Sequence, residues 1–297
     1  MATRLDIELF GTDAEHLEAV AAAIEDEVCR LDALLSRYNP TSEISRVNRH
    51  AAAEAVRVDA DVWQLLSAAE QYRRSTDGFF DVTAASSPAG NPQDKTPRLQ
   101  LDAAAQTVRF ASSPLAIDLG GIGKGYALDR AKQLLVAYGV DSALLSFGTS
   151  SILAVGRPAH DTAWTVSLRH PSDLHDLTDL REPPDGDRDP VDDSAASIGR
   201  LSLLDRSLSC SATTGPGQAV SDIVDPHTGL PLSGGEAVVV LAPTGTQAEA
   251  LSTALLAMGR RRATEYLARA DSTKVEVAWI DGSSSASALH WLRRSHD

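Results

Sequence analysis

Four glycines and a lysine stand close together between an apolar stretch and an amphipathic stretch of this 297-residue chain. The run extends from Ile117 to Asp129 and contains Gly120, Gly121, Gly123, Lys124 and Gly125. Glycine lets the backbone approach a ligand closely, and the first amides of a helix lie unpaired at the positive end of the helix dipole. Such a turn can bind an anion, most simply a phosphate or pyrophosphate. The same composition is also typical of an ordinary strand-to-helix turn.

The charge and the cysteine content of the chain narrow the classes of protein to which it can belong. The net charge is −14, which disfavours nucleic acid and anionic membrane surfaces as partners. There is no CxxC pair, so neither a redox motif nor a zinc site is indicated, and Cys29 is predicted to face the core from a helix. No apolar run reaches about 18 residues. Because the N-terminus also lacks a basic-then-apolar leader and a lipidation cysteine, we predict no membrane span and a cytoplasmic location.

Hydrophobic periodicity predicts the helices that must position the glycine run. The capping-box sequence Thr12–Glu15 starts a helix that ends near Ser36. Further helices are predicted at about 60–74, 124–137, 246–258 and 262–269, the last two separated by Gly259. The polar stretch 37–48 and the Ser-, Pro- and Gly-rich stretch 84–97 are predicted to be loops.

Short β-rich segments are scattered among these helices, at 3–10, 108–110, 115–117, 143–147, 152–155, 164–168, 201–204, 207–210, 237–241 and 274–280. Because strands and helices intermix without a regular βαβ order, we predict an α+β fold. Residues 173–193 contain nine acidic residues and three prolines. We interpret them as a solvated loop insertion.

The glycine run and four other segments resemble the ApbE family, the FAD:protein FMN transferases. Asp118–Gly125, with Tyr126 and Asp129, is similar to the family motif DLGGIAKGYAVD. Two of the other four segments precede the glycine run and two come after it, in the family's order. They are Tyr38–Asn48 (Y-x-P-x-SEISRLN), Gly78–Thr83 (G-x-FDVT), Ile223–Gly229 (IIDPRTG) and Ala248–Gly259 (ADALATAL…MG). The five motifs together are spread over most of the chain, from 38 to 259.

The resemblance implies a fold and a reaction. The fold is a single α+β domain over 1–297, with mixed, largely antiparallel sheets packed against helices and an acidic loop insertion at about 173–193. The family binds FAD, uses Mg²⁺, and moves the FMN moiety onto a threonine hydroxyl of an acceptor protein with release of AMP. Such a transfer needs positioning, a metal on the pyrophosphate, and activation of the hydroxyl.

The resemblance also assigns roles within the glycine run. Gly120, Gly121, Gly123 and Lys124 form the cradle of the pyrophosphate. The backbone carbonyl of Gly123 is in addition a metal ligand. Asp118, just before the glycines, holds a ligand hydroxyl or a loop amide, and Lys124 and Asp118 are implied as catalytic residues.

Two further metal ligands are implied on the helix that starts near 246. Glu249 and Thr253 are four residues apart and share one helix face, so two oxygens can reach one metal. The family has aspartate where this chain has Glu249. The alternative is a capping box in which Thr246 is the N-cap and Glu249 bonds back to it. Asp129, in the preceding helix, is open to pairing with Lys124 or with a basic neighbour.

A flavin subsite is implied by the remaining motifs. Tyr38 stacks on the isoalloxazine, while Ser42, Glu43 and Asn48 fix its loop. Asp81 and Thr83 line the flavin pocket or cap the next turn. Ser211 and Asp225 match family positions that contact the cofactor. These cofactor-binding residues are Tyr38, Ser42, Glu43, Asp81, Thr83, Gly120, Gly121, Lys124, Ser211 and Asp225.

Asp222 is the implied catalytic base, although the family usually has histidine there. His227, where the family often has arginine, is predicted to be a surface residue. These departures keep three alternatives open: a flavin-binding relative with weakened catalysis, a Mg²⁺-dependent FAD pyrophosphatase, and an unrelated phosphate-loop enzyme that relies on Gly120–Lys124 alone. The last alternative predicts no flavin binding.

Overall fold

The computed structural model describes residues 3–86, 98–112, 114–148, 150–169, 197–213, 221–270, 274–282 and 289–294. The insertion predicted at 173–193 and most of the loop predicted at 84–97 lie outside these ranges. In chain order the elements are β1 (Leu5–Leu9), α1 (Ala14–Leu35), α2 (Glu43–His50), β2 (Val56–Arg57), α3 (Ala60–Ser75), β3 (Leu99–Asp102), β4 (Thr107–Phe110), α4 (Gly123–Ala137), β5 (Ala143–Phe147), β6 (Ser151–Val155), β7 (Trp164–Arg169), β8 (Ser197–Leu203), β9 (Arg206–Ala212), β10 (Ala237–Ala242), α5 (Gly245–Arg269), β11 (Glu276–Ile280) and β12 (Leu289–Arg293).

A seven-stranded sheet in the order β1-β5-β6-β9-β10-β11-β12 forms the centre of the fold. Two smaller sheets, β2-β4-β3 and β7-β8, accompany it. Every pairing between the described strands is antiparallel. The predicted α+β fold with largely antiparallel sheets packed against helices is confirmed.

The central sheet is covered on both faces, which explains the uninterrupted apolar sequence of its inner strands. On one face, Leu145 and Val240 pack into the core formed with the helices. On the other face, Leu144 and Val239 pack with Trp164 of the β7-β8 sheet. Alternate residues of one strand point to opposite faces, so a strand buried on both faces must be apolar throughout.

Three local predictions were wrong at the level of element boundaries. Helix α1 is capped by Asp13, whose Oδ1 accepts a hydrogen bond from the His16 amide at 3.1 Å, and not by Thr12. The predicted loop 37–48 contains the start of α2, where the Ser42 Oγ caps the Ser45 amide at 3.0 Å. The segment 115–117 is not a strand.

Cys29 is exposed and does not face the core. The buried residues of α1 are Val20, Ile24, Leu31 and Leu35. At about 100° per residue, Cys29 lies roughly 140° around the helix from Ile24, on the outer side. The side of the helix on which Cys29 lies is set by its place in the helical repeat and not by its apolar character.

Helices α4 and α5 approach each other so closely that only glycine fits at the contact. A Cβ atom added to Gly125 would lie 2.2 Å from the carbonyl oxygen of Gly245, and one added to Gly245 would lie 2.4 Å from the carbonyl oxygen of Gly125. The two glycines therefore bring the first turns of the two helices into direct backbone contact.

At this contact each helix caps the N-terminus of the other. Asp129 of α4 accepts hydrogen bonds from the Gly245 amide at 2.6 Å, the Thr246 amide at 2.9 Å and the Thr246 hydroxyl at 2.6 Å. Glu249 of α5 accepts one from the Gly125 amide at 2.6 Å. Carboxylates at helix N-termini satisfy unpaired amides and complement the dipole.

This exchange corrects the predicted Thr246–Glu249 capping box. The N-cap of α5 is Thr244, whose hydroxyl accepts from the Gln247 amide at 3.2 Å, so Glu249 lies beyond the capping positions of its own helix. Asp129 is bound to the start of α5, a contact that was not among its predicted partners. Gly259 has a φ of 70° and interrupts the helical geometry of α5 between its two predicted parts.

Candidate active site

The glycine run forms a tight turn that starts α4. The Asp118 amide donates to the Val82 carbonyl at 2.7 Å, and the Gly120 amide donates to Asp118 Oδ1 at 2.9 Å. The Gly123 amide donates to the Leu119 carbonyl at 2.8 Å. The first residue before the helix, Ile122, provides no side-chain cap. The loop-amide role foreseen for Asp118 is therefore a contact in the structure.

Asn48 holds the extended segment that leads into the turn. Its side-chain amide donates to the Ile117 carbonyl at 3.0 Å, and its side-chain oxygen accepts from the Ile117 amide at 2.7 Å. This pair of bonds imitates a β-ladder contact across 69 residues. The position of the turn thus depends on α2, the helix that lies in the predicted loop.

Lys124 and Glu249 form an ion pair beneath the turn. The Lys124 ammonium contacts Glu249 Oε1 and lies 3.3 Å from the Gly120 carbonyl. The Glu249 side chain is 3% exposed, and its second oxygen binds the Gly125 amide. The lysine charge is therefore already balanced by a buried carboxylate.

One hydroxyl group lies against the same turn, and a second lies beside the first. The Thr253 hydroxyl is 3.2 Å from the place where a Cβ atom on Gly121 would stand. The Ser211 hydroxyl is 3.4 Å from that of Thr253 and 2.8 Å from that of Ser252. The structure thus brings together the glycine turn, Lys124, Glu249, Thr253 and Ser211 of the predicted site.

Oxygen donors suited to Mg²⁺ are present at this place. Magnesium prefers carboxylate, hydroxyl and carbonyl oxygens and keeps several waters. A carboxylate has about four lone-pair sites, so Glu249 keeps acceptor capacity beyond its bonds to Lys124 and Gly125. Among the described residues, no group of three or more His, Cys, Asp or Glu side chains is arranged for a metal. The donor set fits a magnesium ion shared with a ligand better than a fully protein-bound one.

Arg37 is a residue that the sequence analysis did not single out. Its Nε is 3.3 Å from Asp118 Oδ2, and one of its terminal nitrogens donates to the Tyr38 hydroxyl at 2.8 Å. The Tyr38 hydrogen bond raises the pKa of Arg37, and the nearby charges of Asp118 and Asp222 add to that effect. Arg37 therefore contacts Asp118 and lies within electrostatic range of Asp222, two of the predicted catalytic carboxylates.

Tyr38 is 80% exposed, and its ring packs on the Arg37 guanidinium at 4.7 Å. Ser42 and Glu43, in contrast, are engaged with their own chain. The Ser42 hydroxyl donates to the Ser36 carbonyl at 2.6 Å, and Glu43 accepts from the Asp59 amide at 2.8 Å. These two residues shape the segment that presents Tyr38.

Asp81 and Thr83 form the turn cap that was one of their two predicted roles. Asp81 Oδ1 accepts from the Thr83 amide at 2.8 Å and the Thr83 hydroxyl at 2.6 Å. The other oxygen of Asp81 pairs with Arg98 at 2.9 Å. Since Val82 between them binds the Asp118 amide, this cap supports the glycine turn from the side.

Asp225 organises a reverse turn. Its side chain accepts from the His227 amide at 2.9 Å, its backbone carbonyl accepts from the Gly229 amide at 2.8 Å, and Gly229 has a φ of 70°. His227 is half-buried and packs edge-on against Phe79 with ring centroids 4.3 Å apart. His227 was predicted to be a surface residue, and its side chain is partly exposed, but its ring lies close to the positive-φ residue Gly78.

We expect His227 to make the protein less stable in mild acid. Burial lowers the pKa of His227, Arg262 lowers it further, and Asp225 opposes them. The pKa of His227 is therefore lower in the folded chain than in the unfolded chain. At a pH between these two pKa values the unfolded chain binds more protons, so the free energy of unfolding falls as the pH drops through that interval. Denaturant unfolding at about pH 7.5 and about pH 5.5 measures this fall, which His227→Gln should reduce. An equal fall in the variant would contradict the assignment.

Tyr126 of the same motif ties α4 to α3. Its hydroxyl donates to Asp61 Oδ1 at 2.7 Å, and Asp61 also pairs with Arg30 of α1 at 2.5 Å. Burial, together with this bond, raises the pKa of Tyr126. The only signal of the contact in the sequence was the place of Tyr126 next to the glycines.

Comparison with known proteins identifies the family of this chain. The model of the ApbE family matches residues 1–279. The FAD:protein FMN transferase of Salmonella typhimurium is 24% identical over 293 residues, which cover 91% of this chain and 79% of that protein. The enzyme of the same name from Treponema pallidum is 26% identical over 276 residues, covering 84% of this chain and 74% of that protein.

Solved structures show the same fold. The flavin transferase ApbE from Vibrio cholerae superposes with a TM-score of 0.76 at 20% identity, over 98% of this chain and 94% of that chain. The ApbE protein of Thermotoga maritima superposes with a TM-score of 0.75 at 22% identity, over 97% of this chain and 93% of that chain. The family match spans nearly the whole chain. The motifs that resemble the family lie in the glycine turn, in α5 and in the segments that support them. This chain therefore belongs to the ApbE family.

Proposed function

We propose that this chain transfers the FMN moiety of FAD to a threonine hydroxyl of an acceptor protein and releases AMP, with Mg²⁺ as the metal. The hydroxyl oxygen bonds to the phosphorus of the FMN phosphate, the bond from that phosphorus to the AMP oxygen breaks, and the hydroxyl proton leaves to a base. The observation that carries the proposal is the glycine turn, which starts α4 beside Thr253 and Ser211 in a chain of this family. Relatives named FAD:protein FMN transferase support it.

The glycine turn supplies the phosphate side of the site. Gly120 and Gly121 let the backbone approach the pyrophosphate, and Lys124 adds a positive charge at the start of α4. Asp118 orients the turn through the Gly120 amide. Asp222, which lies near Arg37, is the group we assign to accept the hydroxyl proton.

Mg²⁺ would be held by the carbonyl of Gly123, the carboxylate of Glu249 and the hydroxyl of Thr253. When bound, it neutralises negative charge on the phosphates during transfer. Thr253 already lies against the turn, and Glu249 is fixed by Lys124 and the Gly125 amide. The protein thus presents oxygen ligands from two helices that cap one another.

The flavin ring is assigned to the side of the site formed by Tyr38 and by the turns at 81–83 and 225–229. The exposed ring of Tyr38 offers a stacking surface. Asp81, Thr83 and Asp225 fix those two turns, and Ser42 and Glu43 act on the flavin through the Tyr38 segment. Ser211 contributes a hydroxyl beside Thr253.

A flavin-binding relative with weakened transfer is the second candidate function. The specific observation in its favour is that Lys124 and the Gly125 amide occupy both oxygens of Glu249, where the family has the shorter aspartate. Hydrolysis of FAD to FMN and AMP by the same groups, with water as acceptor, is the third.

The proposal extends to the location and the domain organisation of the chain. No helix in the described ranges is long and apolar enough to cross a membrane. We assign the protein to the cytoplasm and residues 1–297 to one domain with an acidic insertion at 173–193. We expect an acceptor protein with a target threonine, and no nucleic acid, as its macromolecular partner.

One incubation tests the proposal against its rivals. The purified protein is mixed with FAD and Mg²⁺, with and without a flavin-acceptor domain, and FAD, FMN, AMP and the acceptor mass are followed by mass spectrometry. We expect the acceptor to gain one FMN while AMP appears, and Asp222→Asn to slow this gain. FMN and AMP without acceptor modification would identify a pyrophosphatase, and FAD retained unchanged would identify a binding protein. Absence of any flavin interaction would refute all three.

A further inference from the structure

The charged side chains around the glycine turn differ in how closely they are paired within the protein. Glu249 neutralises Lys124 from below, with 3% of its side chain exposed, and the lysine side chain itself is 22% exposed. Asp118 stands in front of the turn with Arg37, and the charge of Asp222 also acts on Arg37. These five side chains carry three negative and two positive charges. A ligand diphosphate therefore meets a site in which the lysine is already paired.

Arg37 is held more loosely than Lys124. Its Nε lies 3.3 Å from Asp118 Oδ2, longer than the roughly 2.7–2.9 Å of a strong charge-assisted hydrogen bond. The Arg37 side chain is 38% exposed, and its other described bond goes to the hydroxyl of the exposed residue Tyr38. A guanidinium has five N–H donors in a planar fork, and these contacts use its Nε and one terminal nitrogen.

The position of Arg37 suits a phosphate at the turn. Asp118 binds the Gly120 amide with one oxygen and faces Arg37 with the other, so the guanidinium and the glycine amides lie on two sides of one carboxylate. Arginine can bind a carboxylate along one edge and a phosphate along another. The Tyr38 hydroxyl, which faces solvent, is a partner that a phosphate oxygen can replace.

We propose that Arg37 is the phosphate-binding cation of the flavin site: it donates to the diphosphate of the dinucleotide while its Nε stays on Asp118. This inference rests on the proposed function in so far as the ligand is FAD. It makes Arg37 the residue that distinguishes a flavin with phosphates from one without them. Lys124, whose charge is partly balanced by Glu249, then contributes the weaker of the two positive charges at the phosphates.

Binding of three flavins tests the inference. Wild type, Arg37→Gln and Arg37→Lys are titrated with FAD, FMN and riboflavin, and the quenching of flavin fluorescence gives each Kd. We expect Arg37→Gln to raise the Kd for FAD about 10- to 100-fold, as for loss of hydrogen bonds to a charged group. The Kd for riboflavin should change by less than about twofold. Arg37→Lys keeps the charge and should recover part of the FAD affinity. The wild-type affinity for FAD should also fall more steeply with salt than that of Arg37→Gln.

Arg49→Gln is the matched control. Arg49 is exposed, and it holds the same segment by donating to the Pro40 carbonyl at 2.9 Å, away from the glycine turn. The Arg49→Gln variant should leave the ratio of the Kd for FAD to the Kd for riboflavin unchanged. Thermal unfolding of each variant shows that the fold is retained.

The outcomes separate this inference from the proposed function. If Arg37→Gln binds FAD as tightly as wild type, or loses FAD and riboflavin equally, Arg37 does not bind the phosphates. If wild type binds FAD with the expected dependence on Arg37 but transfers no FMN, the inference stands and the proposed function fails. Wild-type protein that binds no flavin overturns both.

Discussion

Gly125→Ala should reduce the free energy of unfolding by about 3 kcal/mol, and the variant should accumulate poorly. The new methyl group would lie 2.2 Å from the Gly245 carbonyl oxygen, 2.4 Å from its carbonyl carbon and 2.8 Å from the Thr246 amide nitrogen. All three atoms belong to the backbone, so no side-chain rotation can relieve the overlap. The helices must separate, which also breaks the bonds from Asp129 to the start of α5. Denaturant unfolding followed by circular dichroism measures the loss.

Gly123→Ala is the matched control for this substitution. Gly123 lies in the same helical turn, but a Cβ atom there would meet only the Leu119 Cβ at 3.9 Å, an ordinary contact. Alanine is the better helix former by up to about 1 kcal/mol, so this variant should be as stable as wild type or slightly more stable. Equal destabilisation by the two substitutions would mean that the α4–α5 contact is not the cause.

Glu249→Ala should destabilise the protein by about 2–3 kcal/mol and abolish its flavin chemistry. The substitution leaves the Lys124 ammonium without its buried partner and the Gly125 amide without its cap. Breaking a buried pair from one side costs more than the pair contributes, because the remaining charge stays desolvated. Lys124→Ala should also be destabilising, since it leaves the carboxylate of Glu249, whose side chain is 3% exposed, without its cation.

A double-mutant cycle separates the pair from the cap. If Lys124 and Glu249 interact as described, Lys124→Ala with Glu249→Ala should cost about 1–2 kcal/mol less than the sum of the single changes. Additive losses would show that the ion pair does not contribute. Unchanged FAD turnover in Glu249→Ala would also remove Glu249 from the metal ligands. Glu249→Asp, with the residue type of the family, should preserve turnover or increase it.

The elements of the fold could be predicted from the sequence where one local signal decides. Helix α4 was expected at 124–137 and runs from Gly123 to Ala137, because a glycine run and an apolar stripe define both ends. Strand β10 was expected at 237–241 and is Ala237–Ala242, a short apolar run followed closely by proline. In α2 the apolar residues Ile44 and Val47 were present at helical spacing, but eight residues are too few for a clear period.

The contacts that build the site could not be predicted in the same way. Asp129 binds an amide 116 residues away, and Glu249 binds one 124 residues away. Nothing in the local sequence distinguishes such partners from a basic neighbour or a capping box, which are the contacts we expected for them. Arg37 was overlooked for the same reason, since its partner Asp118 joins it only through the packing of α1, α2 and the turn. The roles of the individual site residues remain predictions.

The exchange of caps between α4 and α5 has a consequence for the order of folding. Neither helix has every amide of its first turn satisfied until the other has docked, and the docking closes a loop of more than a hundred residues. Closing so long a loop is entropically costly and slow, so the glycine turn should become ordered late, after the strands between the two helices have paired. A nascent chain that ends before Gly245 would carry the whole glycine motif without the helix that caps and packs against it. The amides of Gly125, Gly245 and Thr246 should therefore gain protection from hydrogen exchange together, as one cooperative unit.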